Sequence, residues 1–184
     1  MSKLLVNELA PKTAGNKIIM PSGGIIQVQY TQFTGTNTVT LSALTDTPLT
    51  DLTVNITPAS STSVVHLQTH IFCEHGDDNH NPYNHVFFFY RDTTKLGHAA
   101  AGNRSVGVSM STRTYHTTDQ NSTPHIARYD YFDTPATTSA ITYKCGVYSQ
   151  GAQDLSINKT IGDAANQTYS ERGISFISAT EIAG

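Results

Sequence analysis

Apolar residues in this chain recur at every second position, segment after segment, and that is the spacing a β-strand imposes when one of its faces is dry. In VVHLQTHIFCE, Val65, Leu67, Ile71 and Cys73 fall on one side, while His66, Gln68, His70 and Glu74 fall on the other. Leu52, Val54 and Ile56 share a face in DLTVNITP, Val106, Val108 and Met110 in RSVGVSMST, and Ile141, Tyr143, Cys145 and Val147 in AITYKCGVYS. The three-four spacing of an amphipathic helix is nearly absent, so the chain reads as all-β. Its low charged fraction, 14%, agrees, because Thr, Ser, Asn and Gln carry the polar share and favour strands and turns over surface helices.

Ten strands are predicted, at 25–33, 37–41, 52–56, 64–74, 85–91, 104–115, 125–132, 140–149, 153–158 and 173–181. Stops such as Pro58 and Pro135 separate them with the rhythm of a sandwich. An antiparallel jelly roll is the expected architecture, with its open edges hidden by oligomerisation. One strand is different. In HVFFFYRD, Val86, Phe88 and Tyr90 occupy one side and Phe87 and Phe89 the other, so both faces must be covered, the second by something besides the domain's own core.

The 184 residues suffice for one ordinary domain and a modest extension. The extension is placed at residues 1–24, before a head at 25–184. It holds two short apolar clusters, Leu4, Leu5, Val6 and Ile18, Ile19, Met20, separated by Pro11 and Gly15. They are too small for a core of their own, and an arm of this kind orders when it docks on a partner chain. These six residues are the candidates for anchoring.

A net charge of -3 without a basic cluster lacks the footprint of a nucleic-acid binder. The opening residues contain no apolar run long enough for a secretory signal or a membrane span, so neither membrane insertion nor export is expected. Cys73 and Cys145 are too far apart for a metal knuckle or redox motif, and two buried reduced thiols are expected, nothing in the spacing calling for a disulfide.

Potential metal ligands concentrate at His66, His70, Cys73, Glu74, His75, Asp77, Asp78, His80 and His85. His66 and His70, however, stand four residues apart on a strand, roughly 13 Å at the usual rise, which is too far to share a tetrahedral ion. The loop EHGDDNHN also misses the fixed acidic positions of a calcium loop. No nucleophile elbow, phosphate loop or dinucleotide glycine signature occurs, and Asp130, Asp133 and Glu171 suggest no particular facing pair of the sort a glycosidase needs. No catalytic residue, cofactor or metal ligand is assigned, and a non-enzymatic protein is expected.

Several blocks nevertheless carry a resemblance: VNELAPKTAGNKIIMPSGGIIQVQY, LTVNITPASSTSVVHL, FFFYRDTTKLG, YFDTPATTSAITYKCGVYS and SERGISFISATEIAG. In their order along most of the chain they resemble tailed-bacteriophage virion proteins of the tail-fibre, head-fibre or decoration type. These have a jelly-roll head of the trimeric tumour-necrosis-factor or complement-C1q shape. The resemblance implies a homotrimer assembled in a host cytoplasm and built into the virion against other capsid or tail proteins. Phe87, Phe89 and Tyr90 are then candidates for the trimer interface. The histidine-rich insertion and the loop from Tyr115 to Pro124 depart from the pattern, which makes His75, Asp77, Asp78, His80, Tyr83, His116 and Asp119 candidates for receptor-facing loops. Two rival roles stay open: a tail adhesin for a host-surface glycan or protein, and a glycan-cleaving spike enzyme.

Overall fold

The computed structural model describes residues 20–76, 85–110, 123–166, 168 and 170–184. The described residues form eleven strands and no helix, the result that period-two patterning demands. They are β1 (Ile25–Phe33), β2 (Asn37–Leu41), β3 (Thr45–Ile56), β4 (Val64–His75), β5 (His85–Arg91), β6 (Thr94–Leu96), β7 (Ser109–Met110), β8 (His125–Asp133), β9 (Ile141–Ser149), β10 (Gln153–Ile157) and β11 (Ser175–Ile182).

Two antiparallel sheets result, an arrangement compatible with a β-sandwich. In the six-stranded sheet, β4 is the hub: β8 runs along one edge, while β11 and then β10 share the other, with β1 outside β11 and β2 outside β10. The five-stranded sheet runs β3-β9-β5-β6, with β7 also on β5. The inward positions meet in one core that includes Leu52, Val54, Val65, Leu67, Ile71, Phe87, Phe89, Tyr143, Val147, Leu155 and Ile177. Burial of this apolar surface is the main favourable term in folding.

Two expectations change here. The segment from Arg104 to Tyr115 does not form a long strand: within the described residues only Ser109 and Met110 pair. Gly97 and Gly107 explain the irregular path, because they bring two stretches of backbone together. Gly97 has φ of 142°, His98 N–H donates to the Gly107 carbonyl at 3.0 Å, and a Cβ on Gly107 would stand 2.4 Å from Val86 Cγ1. In addition, β5 turns straight into the unanticipated β6 through Asp92, at φ of 55°, a conformation that Asp tolerates better than most residues.

The second change concerns the doubly apolar strand. Phe87 and Phe89 face the core and have no exposed surface, so they cannot meet a partner chain while the domain is folded; packing within the subunit has already used them. Phe88, on the opposite face, is also fully buried, covered by the chain itself. The Lys95 ammonium sits 4.0 Å from its ring centre, Tyr90 meets it edge-on at 5.1 Å, and Gly146 leaves room beside it, where a Cβ would come within 2.5 Å of the ring. Of the three interface candidates only Tyr90 keeps partial exposure. Among the anchoring candidates, Leu4, Leu5, Val6, Ile18 and Ile19 lie outside the described residues, and Met20 is exposed just before β1.

Candidate functional site

The inward rows of five strands are mostly apolar and turn polar at one shared end. On β4 the row runs from Ile71 through Cys73 to His75; on β5 Phe87 is followed outward by His85, and on β8 Ala127 by His125. On β9 Val147 gives way to Ser149, and on β10 Leu155 to Gln153. Pairing puts these ends side by side: Cys73 opposes His125, His75 opposes Leu155, and His85 opposes Ser149. A polar layer rich in imidazole therefore caps one end of the core.

Inside this layer the three rings stack. His75 lies between His85, with ring centres 3.7 Å apart, and His125, at 5.0 Å, in nearly parallel planes. Phe87 adjoins the stack 6.2 Å from His75. His85 is fully buried, while His75 and His125 are half-buried. The Gln153 side-chain amide donates to His85 Nε2 at 2.6 Å and to Ser149 Oγ at 3.1 Å, and the Ser149 hydroxyl donates to the Gly151 carbonyl at 2.5 Å. These bonds hold the His85 ring in place under His75.

Cys73, fully buried, presents Sγ at 3.4 Å from His125 Nε2. The ligating atoms of Cys73, His75 and His125 all lie within 4.8 Å of one another. Glu74, the residue between Cys73 and His75, points away from this layer and fastens the neighbouring loops. Its Oε1 accepts from Thr123 N–H at 2.6 Å and from the Thr123 hydroxyl at 2.8 Å, and its Oε2 from Ile161 N–H at 2.8 Å. Thr123 leads directly into β8, so Glu74 also sets where His125 enters the cluster.

The electrostatics favour the uncharged forms of His125 and Cys73. Burial, reinforced by the neighbouring His85, pulls the pKa of His125 down to about 4. Burial pushes the Cys73 thiol far up, the Ala127 backbone pulling weakly the other way and the Glu74 carboxylate adding to the rise. A nucleophilic cysteine needs the reverse, a lowered pKa and access to substrate. The Cys73–His125 contact thus has the distance of a nucleophile–base pair without its activation. Neutral imidazoles, in contrast, are the form in which histidine binds a metal.

His75 is therefore not on a projecting loop, as the sequence suggested, but is the last residue of β4 and the middle ring of a stack. Asp77, Asp78, His80, Tyr83, His116 and Asp119 lie outside the described residues. His66 and His70 find separate neighbours, as their spacing required: His66 stacks on Phe132 at 4.1 Å and approaches Asp130 at 3.3 Å, and His70 stacks on Phe176 at 5.9 Å. Cys145 is a free buried thiol donating to Thr69 Oγ1 at 3.3 Å. Asp130 and Asp133 occupy opposite faces of β8; Asp133 is buried and accepts from Arg91 at 3.0 Å and from the Tyr143 hydroxyl at 2.7 Å. No facing carboxylate pair arises from them. A mostly apolar groove of about 400 Å³, bordered by Val86, His98, Arg104, Val106 and Met110, opens on the five-stranded sheet, and among the described residues no carboxylate lines it.

The sequence reading missed His125 because it stands fifty positions from His75. A usable signal was present in Cys73 and His75 themselves, since an i, i+2 pair projects from the same face of a strand. No protein-family model matches the chain, and no curated protein matches it in sequence.

Proposed function

We propose that this chain is a non-enzymatic structural component of a bacteriophage particle: a short fibre, spike or surface decoration, with a jelly-roll head that assembles as a homotrimer. Leu4, Leu5, Val6, Ile18, Ile19 and Met20 anchor it to other virion proteins. The observation that carries the reading is the outer face of the six-stranded sheet. Across β8, β4, β11 and β1 it presents Ile126, Phe132, Val28 and Tyr30, which are 54%, 57%, 51% and 71% exposed. His66 and His70 lie flat against Phe132 and Phe176 on the same face. Large apolar groups held on rigid strands lose free energy to water unless something covers them.

The occupants are two further copies of the chain. This face balances its fixed charges, with Arg128 and Asp130 two residues apart on β8, so a copy meets it without net repulsion. A closed ring of three then covers the face of each subunit and links assembly to stability. The blocks that resemble phage fibre and decoration proteins support the same assignment.

Sedimentation equilibrium of the full chain tests the trimer directly. The expected mass is three times 19.9 kDa, and the double variant Tyr30→Lys, Phe132→Glu is expected to sediment as monomers. A wild-type chain that stays at 19.9 kDa at micromolar concentration overturns the trimer. Electron cryo-microscopy of purified particles tests the location, and absence of the chain from them overturns the virion assignment.

A further inference from the structure

Most of the buried polar groups in this molecule have plain structural work. Glu74 and Glu181 collect loop amides, Asp133 holds Arg91 and Tyr143, and Asn158 fastens the chain after β1 by donating to the carbonyls of Phe33 and Gly35 at 2.7 and 2.8 Å. The histidine layer differs, because it sets soft and borderline ligand atoms from two strands around one point at one end of the core. We propose that Cys73, His75 and His125 form a binding site for a divalent transition-metal ion of the zinc class, with the fourth position left to water.

The geometry fits closely at one edge and needs a small adjustment at the other. Metal–sulfur and metal–nitrogen bonds of about 2.3 and 2.0–2.1 Å at a tetrahedral angle put S and N about 3.5 Å apart. Cys73 Sγ and His125 Nε2 already stand 3.4 Å apart. The remaining separations within the triad, both involving His75, reach at most 4.8 Å, so closing the coordination draws the His75 nitrogen inward. His75 and His125 are half-buried as residues, while Cys73 and both ring nitrogens of His75 are buried.

The thiolate–imidazole donor set selects zinc, cobalt, nickel or copper over magnesium and calcium, which take oxygen ligands. A metal bound to the sulfur also supplies the positive charge that burial denies the thiolate, so it displaces the thiol proton. His85 is a positioning residue. Its Nε2 is occupied by Gln153 and its face supports the His75 ring, so it orients a ligand without being one.

Cobalt(II) titration of the chelator-treated full chain is the test, since a cobalt–thiolate bond gives a charge-transfer absorption and four-coordinate cobalt gives intense visible bands. The chain has only two cysteines, and Cys145 is buried in the core beside Thr69, so thiolate ligation singles out Cys73. The expected result is one cobalt per chain with the charge-transfer band, zinc displacing it, and the same spectrum in Cys145→Ser and in His66→Gln. Cys73→Ser abolishes the band. His75→Gln and His125→Gln each weaken binding by more than about tenfold, the lower bound for losing even an outer-sphere partner. If the buried Cys73→Ser chain does not fold, the half-buried His75→Gln decides. Cobalt bound without a thiolate band, or the same affinity in His75→Gln and His125→Gln as in wild type, overturns the site.

Discussion

Glu181 offers the sharpest test of how this fold is closed. Its side chain leaves β11 fully buried and accepts three close hydrogen bonds, Ser63 Oγ at 2.6 Å and Ala59 N–H at 2.7 Å on Oε1 and the Gln27 amide at 2.6 Å on Oε2, with the Ser60 amide as a further, weaker donor. One carboxylate thereby ties β1, the loop between β3 and β4, and β11. Glu181→Ala removes the acceptor from the three close donors. Ser63 is itself only 1% exposed, so its hydroxyl loses its acceptor where water has little access, at about 2 kcal/mol. Water reaches Ala59 and Gln27, which are half-buried, so each adds about 0.5–1 kcal/mol. The expected loss is about 3–4 kcal/mol, a large part of the 5–15 kcal/mol typical of a domain.

Urea unfolding followed by circular dichroism measures this loss, with an unchanged slope as the check that the unfolded state is the same. Glu181→Gln keeps the volume and one acceptor oxygen, so it should lose about half as much. The pH dependence supplies an independent check. Burial alone would raise the Glu181 pKa, but the bonds from Ser63, Gln27 and the amides of Ala59 and Ser60 outweigh it and hold the folded value below 4.5. The unfolded chain then takes up this proton more readily than the folded one. The stabilisation is therefore complete above pH 4.5 and is lost as pH falls through the folded value. The gap between wild type and Glu181→Ala should narrow over that range. A cost below about 1 kcal/mol, or a gap that does not narrow on acidification, refutes the reasoning.

Phe89→Ala should destabilise the subunit by about 3–5 kcal/mol in urea unfolding, because the ring is a core residue; a near-neutral result would return Phe89 to the surface. Gly146→Ala drives a methyl to 2.5 Å from the Phe88 ring and should cost about 1–3 kcal/mol by overpacking, read as a lowered thermal midpoint. Tyr143→Phe withdraws the hydroxyl donated to Asp133 at 2.7 Å and should cost about 0.5–1.5 kcal/mol, because Arg91 still satisfies the carboxylate. A loss several-fold larger would mean that the Arg91–Asp133 pair cannot hold without the phenol.

The strands were legible in the sequence because alternation is a local signal: a residue's face depends only on counting by twos. The bounds of β1, β2 and β5 follow from it, and so does the dry side of β4 from Val65 to Cys73. Glycine-driven departures were not legible, since the broken segment before Met110 depends on Gly97 and Gly107 meeting across space. Nor was the fate of the aromatic strand. Composition shows that both faces of HVFFFYRD need cover, but only packing reveals that Lys95, Tyr90 and the gap at Gly146 supply it within one subunit. The histidine cluster is the clearest case. Cys73 and His75 are neighbours by strand geometry alone, whereas His85 and His125 join them through strand pairing and the stacking of two sheets. Local sterics and burial set what each segment is; which segments meet is decided by long-range pairing, and the Cys73–His75–His125 cluster lies at such a meeting point.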